Sequence, residues 1–317
     1  MKQHLLLVLL LSLMVSCDED LVITGPSNIP DTILVLNEQV VINQTLDAQS
    51  THIYNSNVQP QKTDFTIFGN TQEDSEQIEY NSDGTRRRVT VFDGLEFITY
   101  DYTYINGFVI GIEKTVSGPG GTDYAFNYNG DTLEIISTIS IGSGQTASSK
   151  LVYIFNTANQ LLELQHIFDN DNAPDDINIK YEYEYDGNSN LIRQTRFNQN
   201  PSNPALFVTA WIKEYTYDDN VNPFWSLDVI SPVVVLDEMI ISGSGISIFD
   251  NTNFARNNML TSTQVSPDSD ITEDVNIEYE YNEFGYPTSA REIYTTVNTA
   301  TGEENEFRVL DKTFIYY

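Results

Sequence analysis

The sequence contains few of the residue types on which catalysis and covalent cross-linking depend. Its 317 residues include one cysteine and three histidines, so no internal disulfide can form. Basic residues are also scarce, because 15 lysines and arginines stand against 46 aspartates and glutamates, and the formal net charge is −31. Nucleic acids and anionic membrane surfaces are bound through clustered lysines and arginines. This charge balance therefore argues against a nucleic-acid partner.

Motifs for common enzyme chemistries are missing as well. The sequence has no HExxH, GxSxG or P-loop pattern. Beyond the N-terminal residues the histidines are His52 and His166, which are far apart in the chain. His166 lies in an alternating run, where a histidine on a strand face is the simpler interpretation. We therefore expect a protein without enzymatic activity and without a cofactor, apart from the calcium considered below.

The N-terminal residues have the pattern of a secretory signal peptide. A positively charged start precedes an apolar run over residues 5–15, which is too short to span a bilayer. The run ends in Met14-Val15-Ser16-Cys17, which resembles a bacterial lipobox, in which the cysteine is lipidated and becomes the first mature residue. We expect residues 1–16 to be removed. Acylated Cys17 would then hold the protein on a lipid bilayer, because acyl chains contribute about 0.8 kcal/mol per buried methylene.

Acidic residues follow the cysteine directly, at Asp18, Glu19 and Asp20. They resemble the surface-export signal of Bacteroidetes-type lipoproteins, which implies an outer-membrane lipoprotein that faces the cell exterior. The alternative is a solvated linker in an acidic protein. Under either interpretation we expect residues 17–30 to form a flexible acidic tether.

Short alternating segments that end in an aromatic residue recur through the rest of the chain. Their final aromatics, at residues 80, 104, 128, 155, 185 and 217, are separated by steps of 24, 24, 27, 30 and 32 residues. The next step, from 217 to 281, spans 64 residues, and Phe249 lies at its midpoint as a candidate degenerate copy. The segments are Ile78-Glu79-Tyr80, Tyr102-Thr103-Tyr104, Phe126-Asn127-Tyr128, Tyr153-Ile154-Phe155, Tyr183-Glu184-Tyr185, Tyr215-Thr216-Tyr217 and Tyr279-Glu280-Tyr281.

Each repeat has the sequence pattern of a strand, a tight turn and a second strand. Residues 180–185 alternate strictly and place three tyrosines on one face, with lysine and glutamate on the other. Asn, Asp and Gly follow most segments and supply the conformations that hairpin turns require. The sequence therefore predicts an all-β antiparallel meander of repeated hairpins, forming a curled sheet or an open barrel-like structure. Charged residues alternate through the strands and leave no apolar lipid-facing band, so we expect the sheet to be soluble and lipid-tethered.

Residues 183–192 resemble the YD repeat of the Rhs and teneurin families, whose core is Tyr-x-Tyr-Asp-x-x-Gly-x-Leu. Residues 215–224 and 279–290 resemble uncharacterised Bacteroidetes outer-membrane lipoproteins assembled from such hairpins. This resemblance covers about residues 76–317 and implies a porin-like, curled β-meander with no assigned catalytic residue. We expect residues 76–317 to form the hairpin-repeat domain and residues 31–75 to add extended or edge strands to it.

The densest group of oxygen ligands lies at residues 169–176. Calcium takes six to eight oxygen ligands, often from acidic loops of this kind, so the loop is a candidate calcium site. The EF-hand pattern is not matched, because alanine and proline stand where an acid and a glycine are needed. A hairpin loop rich in turn-forming residues explains the same sequence. The candidate ligands are Asp169, Asp171, Asp175 and Asp176.

Two tryptophans outside the repeat pattern are the candidate ligand contacts. Trp211 and Trp225 lie beside an irregular segment over residues 222–236, whereas the repeated tyrosines are better explained as the core of the sheet. We therefore expect a binding or scaffold module with a glycan or a protein as its ligand. The alternative is a glycan-directed hydrolase or glycan-capture protein that uses strand-face carboxylates, such as Glu182 and Glu184.

Overall fold

The computed structural model describes residues 33–42, 45–54, 60–67, 73–92, 97–106, 108–116, 121–142, 145–158, 160–168, 177–222 and 255–316. Within these ranges the chain forms 18 β-strands. In the part of the chain that is described, no helix has the length and apolar character needed to span a bilayer. The strands are β1 (Ile33–Ile42), β2 (Thr45–Tyr54), β3 (Pro60–Ile67), β4 (Glu73–Tyr80), β5 (Arg86–Phe92), β6 (Phe97–Ile105), β7 (Phe108–Val116), β8 (Gly121–Asn129), β9 (Thr132–Gly142), β10 (Gln145–Phe155), β11 (Leu161–Phe168), β12 (Ile177–Tyr185), β13 (Leu191–Asn200), β14 (Asn203–Val221), β15 (Asn257–Val265), β16 (Ile271–Tyr281), β17 (Pro287–Asn298) and β18 (Glu303–Tyr316).

All 18 strands belong to one antiparallel sheet, in which each strand pairs with the next strand along the chain. Short turns favour this arrangement, because antiparallel neighbours can be joined without a crossover. The last strand, β18, also pairs with β1, in a register that runs from Ile42 opposite Arg308 to Ile33 opposite Tyr316. The sheet therefore curls until its first and last strands meet. The predicted all-β antiparallel meander, curled into a single sheet, is confirmed.

One face of the sheet, which we call the core face, carries the buried side chains. On β12, Tyr181 and Tyr183 are 5% and 4% exposed, whereas Glu184 is exposed to solvent. Successive side chains of a strand point to opposite faces, so the aromatics of each repeat lie on the core face and the charged residues between them on the outer face. Among the residues most deeply buried are Val89, Tyr100, Val109, Leu133, Ile135 and Tyr153.

Aromatic residues two positions apart on a strand pack side by side on the core face. The ring centroids of Tyr153 and Phe155 are 6.4 Å apart, and those of Tyr102 and Tyr104 are 6.5 Å apart. Such pairs contribute about 0.5–1.5 kcal/mol beyond the burial of their area. Burial raises the pKa of Tyr104 to about 12, because the phenolate form loses its hydration there. Most of the repeated aromatics thus form the core of the sheet or pack against it, as the alternation predicts, whereas Tyr128 is exposed.

The residue that follows an aromatic segment organises the hairpin turn. The Oδ1 atom of Asp186 accepts hydrogen bonds from the backbone N–H groups of Asn188 and Asn190, both at 2.8 Å. Asn156 and Asn282 accept the equivalent pair of N–H groups, two and four residues further on. Asn and Asp favour such turns because their short side chains reach the backbone two residues ahead. This contact explains why an Asn or Asp follows the aromatic segment in these three repeats.

The fourth residue of the turn adopts a left-handed backbone conformation. The φ angles of Gly84 and Gly285 are 85° and 81°. Ser189 occupies the same place in the Asp186 turn with a φ of 68°, although a side chain is disfavoured there. The turn therefore favours glycine at this position of the YD-like pattern because of its left-handed conformation, but it also accepts a serine.

The long step between Tyr217 and Tyr281 contains an insertion. Strand β14 pairs directly with β15, with Tyr215 opposite Ser262 and Tyr217 opposite Met259. The two strands form one hairpin, and residues 223–254 are inserted in sequence between them. The candidate degenerate repeat at Phe249 lies outside the described residues.

The N-terminal region contributes strands to the same sheet. Strands β1, β2 and β3 all lie within residues 31–75, and β3 pairs with β4. The expected boundary between residues 75 and 76 falls inside β4. Residues 1–30, which include the expected signal peptide and tether, lie outside the described residues.

Candidate ligand-binding site on the core face

Charged side chains are divided between the two faces of strands β11 to β14. On the outer face, the Nζ atom of Lys180 lies 2.6 Å from Oε1 of Glu182, and the Nε atom of Arg193 lies 3.8 Å from Oε1 of Glu184. In residues 161–167, 177–185, 191–200 and 211–217, no core-face position carries an aspartate or a glutamate. The carboxylates of these segments all lie on the outer face, at Glu163, Glu182, Glu184 and Glu214.

Arg196 lies on the core face between aromatic residues of the two neighbouring strands. It is directly opposite Tyr181 on β12 and Trp211 on β14. The guanidinium carbon is 5.9 Å from the centroid of the Tyr181 ring, and the rings of Tyr181 and Trp211 meet edge to face with centroids 6.0 Å apart. The negative face of an aromatic ring attracts a cation at this distance. We call Arg196, Tyr181 and Trp211 the Arg196 cluster.

No carboxylate among the described residues balances the charge of Arg196. Arg196 forms no ion pair with another described residue, and its Nε atom is buried without a hydrogen-bond partner among them. Arg88 on the outer face differs, since its Nε atom lies 2.7 Å from Oδ1 of Asp101, and Arg193 on the outer face has Glu184 at 3.8 Å, although its Nε atom also has no hydrogen-bond partner among the described residues. A buried N–H group without an acceptor costs about 1–3 kcal/mol. The cluster therefore holds a positive charge that the described part of the protein leaves uncompensated.

A second cation lies one step along the core face. Lys213 is 9% exposed, and its Nζ atom is 5.7 Å from the centroid of the Tyr215 ring. Opposite Lys213 is Gln194, which accepts a hydrogen bond of 3.0 Å from the Tyr215 hydroxyl group. This side of the cluster is therefore fixed by a buried polar contact.

The other side of the Arg196 cluster opens towards solvent. Trp211 and Arg196 are half-buried, and the next core-face positions on their strands, Asn198 and Val208, are exposed. His166 lies on β11, opposite Ile179, and burial lowers its pKa, which favours the neutral imidazole. The cluster thus lies at the margin of the aromatic core, where a ligand can reach it.

A similar pair elsewhere on the core face has its own carboxylate nearby. Arg308 lies opposite Tyr294, with its guanidinium carbon 5.0 Å from the ring centroid. The Tyr294 hydroxyl group donates a hydrogen bond of 2.9 Å to Glu292, which is 4% exposed. Glu292 also lies 2.6 Å from the Nζ atom of Lys312. An anion would meet a buried negative charge here, so this pair is less suited to anion binding than the Arg196 cluster.

Of the site residues predicted from sequence, Trp211 is the one that the structure describes. The sequence does not single out Arg196, although its alternation with Gln194 places both on one face of β13. Pairing Arg196 with Tyr181 and Trp211 requires the strand register, which the sequence alone does not give. The remaining predicted residues lie outside the described ranges: Cys17, Asp18, Glu19, Asp20, Asp169, Asp171, Asp175, Asp176 and Trp225.

The carboxylates considered for hydrolysis lie on the outer face. The side chains of Glu182 and Glu184 are 46% and 60% exposed, and each has a basic neighbour. Glu280 is exposed and accepts a hydrogen bond of 3.1 Å from the Ser289 hydroxyl group. In the described ranges, no group of three or more His, Cys, Asp or Glu side chains is placed to hold a metal ion. The predicted calcium loop falls outside those ranges and stays a prediction.

Comparison with known proteins finds distant similarity among solved structures. No protein-family model and no curated protein matches the sequence. A porin-like protein from Bacteroides uniformis is 14% identical with a TM-score of 0.46, over 90% of this chain and 98% of that one. A porin-like protein from Bacteroides vulgatus is 13% identical with a TM-score of 0.34, over 90% and 99%. A chain of the TcdB2-TccC3-Cdc42 structure is 10% identical with a TM-score of 0.31, over 85% of this chain and 15% of that one.

Proposed function

We propose that this protein is a non-enzymatic, lipid-anchored lipoprotein of the outer membrane that faces the cell exterior and binds a ligand on its core face. The observation that carries the binding role is the positive charge of Arg196 beside the ring of Tyr181, which itself contacts Trp211, with no ion pair to a described carboxylate. The anchor rests on the lipobox-like sequence that ends at Cys17. The acidic residues that follow this cysteine support surface exposure.

The geometry of the outer carboxylates favours binding over hydrolysis. A glycosidase needs a carboxylic acid whose pKa is raised by desolvation, opposite a second carboxylate. The Glu182 side chain is instead partly exposed and that of Glu184 mostly exposed, and they lie next to Lys180 and Arg193. This arrangement matches a solvated outer face, where charges maintain solubility.

The lipid anchor is tested by replacing the cysteine. In cells expressing the full chain, Cys17→Ala should move the protein from the membrane fraction to an unprocessed or soluble form, because the acylated residue is lost. Ser16→Ala is the matched control, since it keeps a small residue before the cysteine and should leave membrane association unchanged. Membrane association that persists in Cys17→Ala would contradict the proposed anchor.

The binding role is tested with a polysaccharide panel and the purified full chain. Retention of the protein on a polysaccharide without release of reducing sugars supports a binding module. Release of reducing sugars would instead establish a hydrolase. If turnover is then abolished by Glu182→Gln together with Glu184→Gln, the outer carboxylates carry the reaction and the proposed function is wrong.

A further inference from the structure

We propose that the Arg196 cluster is a binding site for a carbohydrate chain that carries carboxylate groups, such as a uronic-acid polymer. This inference rests on the proposed binding function and specifies its ligand class. In the proposed mode the indole ring of Trp211 stacks on a sugar ring and the guanidinium group of Arg196 pairs with the carboxylate of the sugar.

The charge distribution selects the core face for an anionic ligand. With a formal net charge of −31, the protein repels anions over most of its surface. The core-face positions of the four segments around Arg196 carry no carboxylate, and Lys213 adds a second positive charge one step away. The electrostatic potential beside Arg196 therefore favours the binding of an anionic chain.

The chemistry of Arg196 matches a carboxylate. A guanidinium group presents N–H donors in a planar fork that pairs with both oxygens of a carboxylate. Arg196 is held by the ring of Tyr181 and forms no ion pair with another described residue. No described carboxylate therefore competes with a ligand for this charge, whereas Arg193 on the same strand already lies 3.8 Å from Glu184.

The surroundings of Arg196 match a sugar. Trp211 is half-buried and packs against the margin of the core, so part of this residue is accessible to solvent. Asn198, the next core-face residue of β13, is exposed and offers an amide that can hydrogen-bond a sugar hydroxyl group. An aromatic surface with adjacent polar groups and one positive charge is the combination that an acidic sugar requires.

The test uses two polymers that differ only in charge. Polygalacturonate carries free carboxylates, and its fully methyl-esterified form has the same sugar backbone without them. The Trp225→Phe chain keeps Trp211 as its one tryptophan, so tryptophan fluorescence reports on the cluster. We expect saturable quenching by polygalacturonate and binding by the ester that is weaker by about tenfold or more, the range of a charge-assisted hydrogen bond.

Two arginine variants on strand β13 distinguish the loss of a specific contact at Arg196 from the general effect of removing one positive charge. Arg196→Gln should weaken polygalacturonate binding about tenfold, whereas Arg193→Gln, on the outer face, should change the affinity less than about twofold. Trp211→Phe keeps an aromatic side chain, and in the wild-type background it should reduce affinity measured by calorimetry. Thermal melts of all three variants verify that each is folded.

Several outcomes would overturn the inference. These are equal binding of the two polymers, equal loss in Arg196→Gln and Arg193→Gln, and no binding of either polymer. If neither polymer binds but another polysaccharide of the panel is retained without turnover, the ligand class is wrong and the proposed binding function stands. If no polysaccharide of the panel is retained and Cys17→Ala remains in the membrane fraction, the proposed function fails as well.

Discussion

The Asp186 hairpin and the Asp218 hairpin are closed by equivalent hydrogen bonds, although the chain between the bonded residues is far longer in the second hairpin. In the first, Asp186 accepts hydrogen bonds from the N–H of Asn188 and from the N–H and side-chain amide of Asn190, at 2.8, 2.8 and 2.9 Å. In the second, Asp218 accepts the equivalent bonds from Asn220 and Asn258, at 3.0, 3.1 and 3.3 Å. Asn258 thus takes the place of Asn190, although it is separated from Asp218 by 40 residues.

The inserted segment leaves and re-enters the sheet at one place. The N–H of Asn222 donates to the carbonyl oxygen of Arg256 at 2.8 Å, and the Asn222 amide donates to the carbonyl oxygen of Ala255 at 3.0 Å. Asn257 and Asn190 join the two hairpins through a pair of hydrogen bonds, both 3.0 Å long. The turn is therefore defined by an arrangement of Asp and Asn side chains in space, which an insertion can leave intact.

We therefore expect the core residues of the Asp186 hairpin and of the Asp218 hairpin to contribute equally to the free energy of unfolding. Tyr183 and Tyr215 are 4% and 6% exposed on adjacent hairpins. Tyr183→Ala and Tyr215→Ala should each lower the free energy of unfolding by about 3–5 kcal/mol, because each removes a buried aromatic ring and leaves a cavity. Urea unfolding of the two variants measures this effect.

Outer-face residues provide the control for this prediction. Glu184 and Glu214 are exposed on the same strands, so Glu184→Ala and Glu214→Ala should change the free energy of unfolding by less than about 0.5 kcal/mol. Similar small losses for the tyrosine and glutamate variants would contradict the assignment of the core face. A large loss in Tyr183→Ala alone would show that the hairpin with the insertion contributes little to the core.

A smaller difference should separate the two aspartates. Asp218 also accepts a hydrogen bond from the Asn220 amide and one from the Tyr281 hydroxyl group. From the described residues it therefore accepts five hydrogen bonds, where Asp186 accepts three. Asp218→Ala should cost about 3 kcal/mol and Asp186→Ala about 1–2 kcal/mol in the free energy of unfolding. Urea unfolding of the pair tests this ranking, and equal losses would mean that the additional bonds do not stabilise the hairpin.

Most of the fold follows from the sequence because its signals are local. The alternation in residues 180–185 fixes which side chains share a face, and the Asn or Asp after the aromatic segment fixes the turn. The pairing of β1 with β18 is not predictable in this way, because it joins residues about 270 positions apart without a repeat motif in residues 33–42. The step of 64 residues from Tyr217 to Tyr281 is ambiguous in the sequence, because a degenerate copy of the repeat and an insertion give the same spacing.

The candidate site was predictable only in part, because it depends on strand register. Trp211 stands out as a tryptophan outside the repeat pattern, and the sequence identifies it. Arg196 and Arg193 are both arginines of β13, and nothing in the sequence around them sets one apart. Only the strand register places Arg196 opposite Tyr181 and Arg193 beside Glu184. A shift of one residue would exchange the two arginines between faces, so no single-strand pattern could choose between them.

A small net effect is also expected from removing the insertion. Replacing residues 221–257 with one glycine leaves Asp218 and Asn258 four residues apart, as Asp186 and Asn190 are, and supplies the left-handed conformation that Ser189 adopts. Shortening the connection tenfold lowers its closure cost by about 2 kcal/mol. The deletion also removes the two Asn257–Asn190 hydrogen bonds and the hydrogen bond from the Asn257 amide to the Asn220 carbonyl oxygen, each of which contributes about 1 kcal/mol. The free energy of unfolding should therefore stay within about 1 kcal/mol of the wild-type value. A chain that fails to fold cooperatively, judged by circular dichroism during urea unfolding, would show that the insertion is part of the sheet's stability and that the two hairpins are not equivalent.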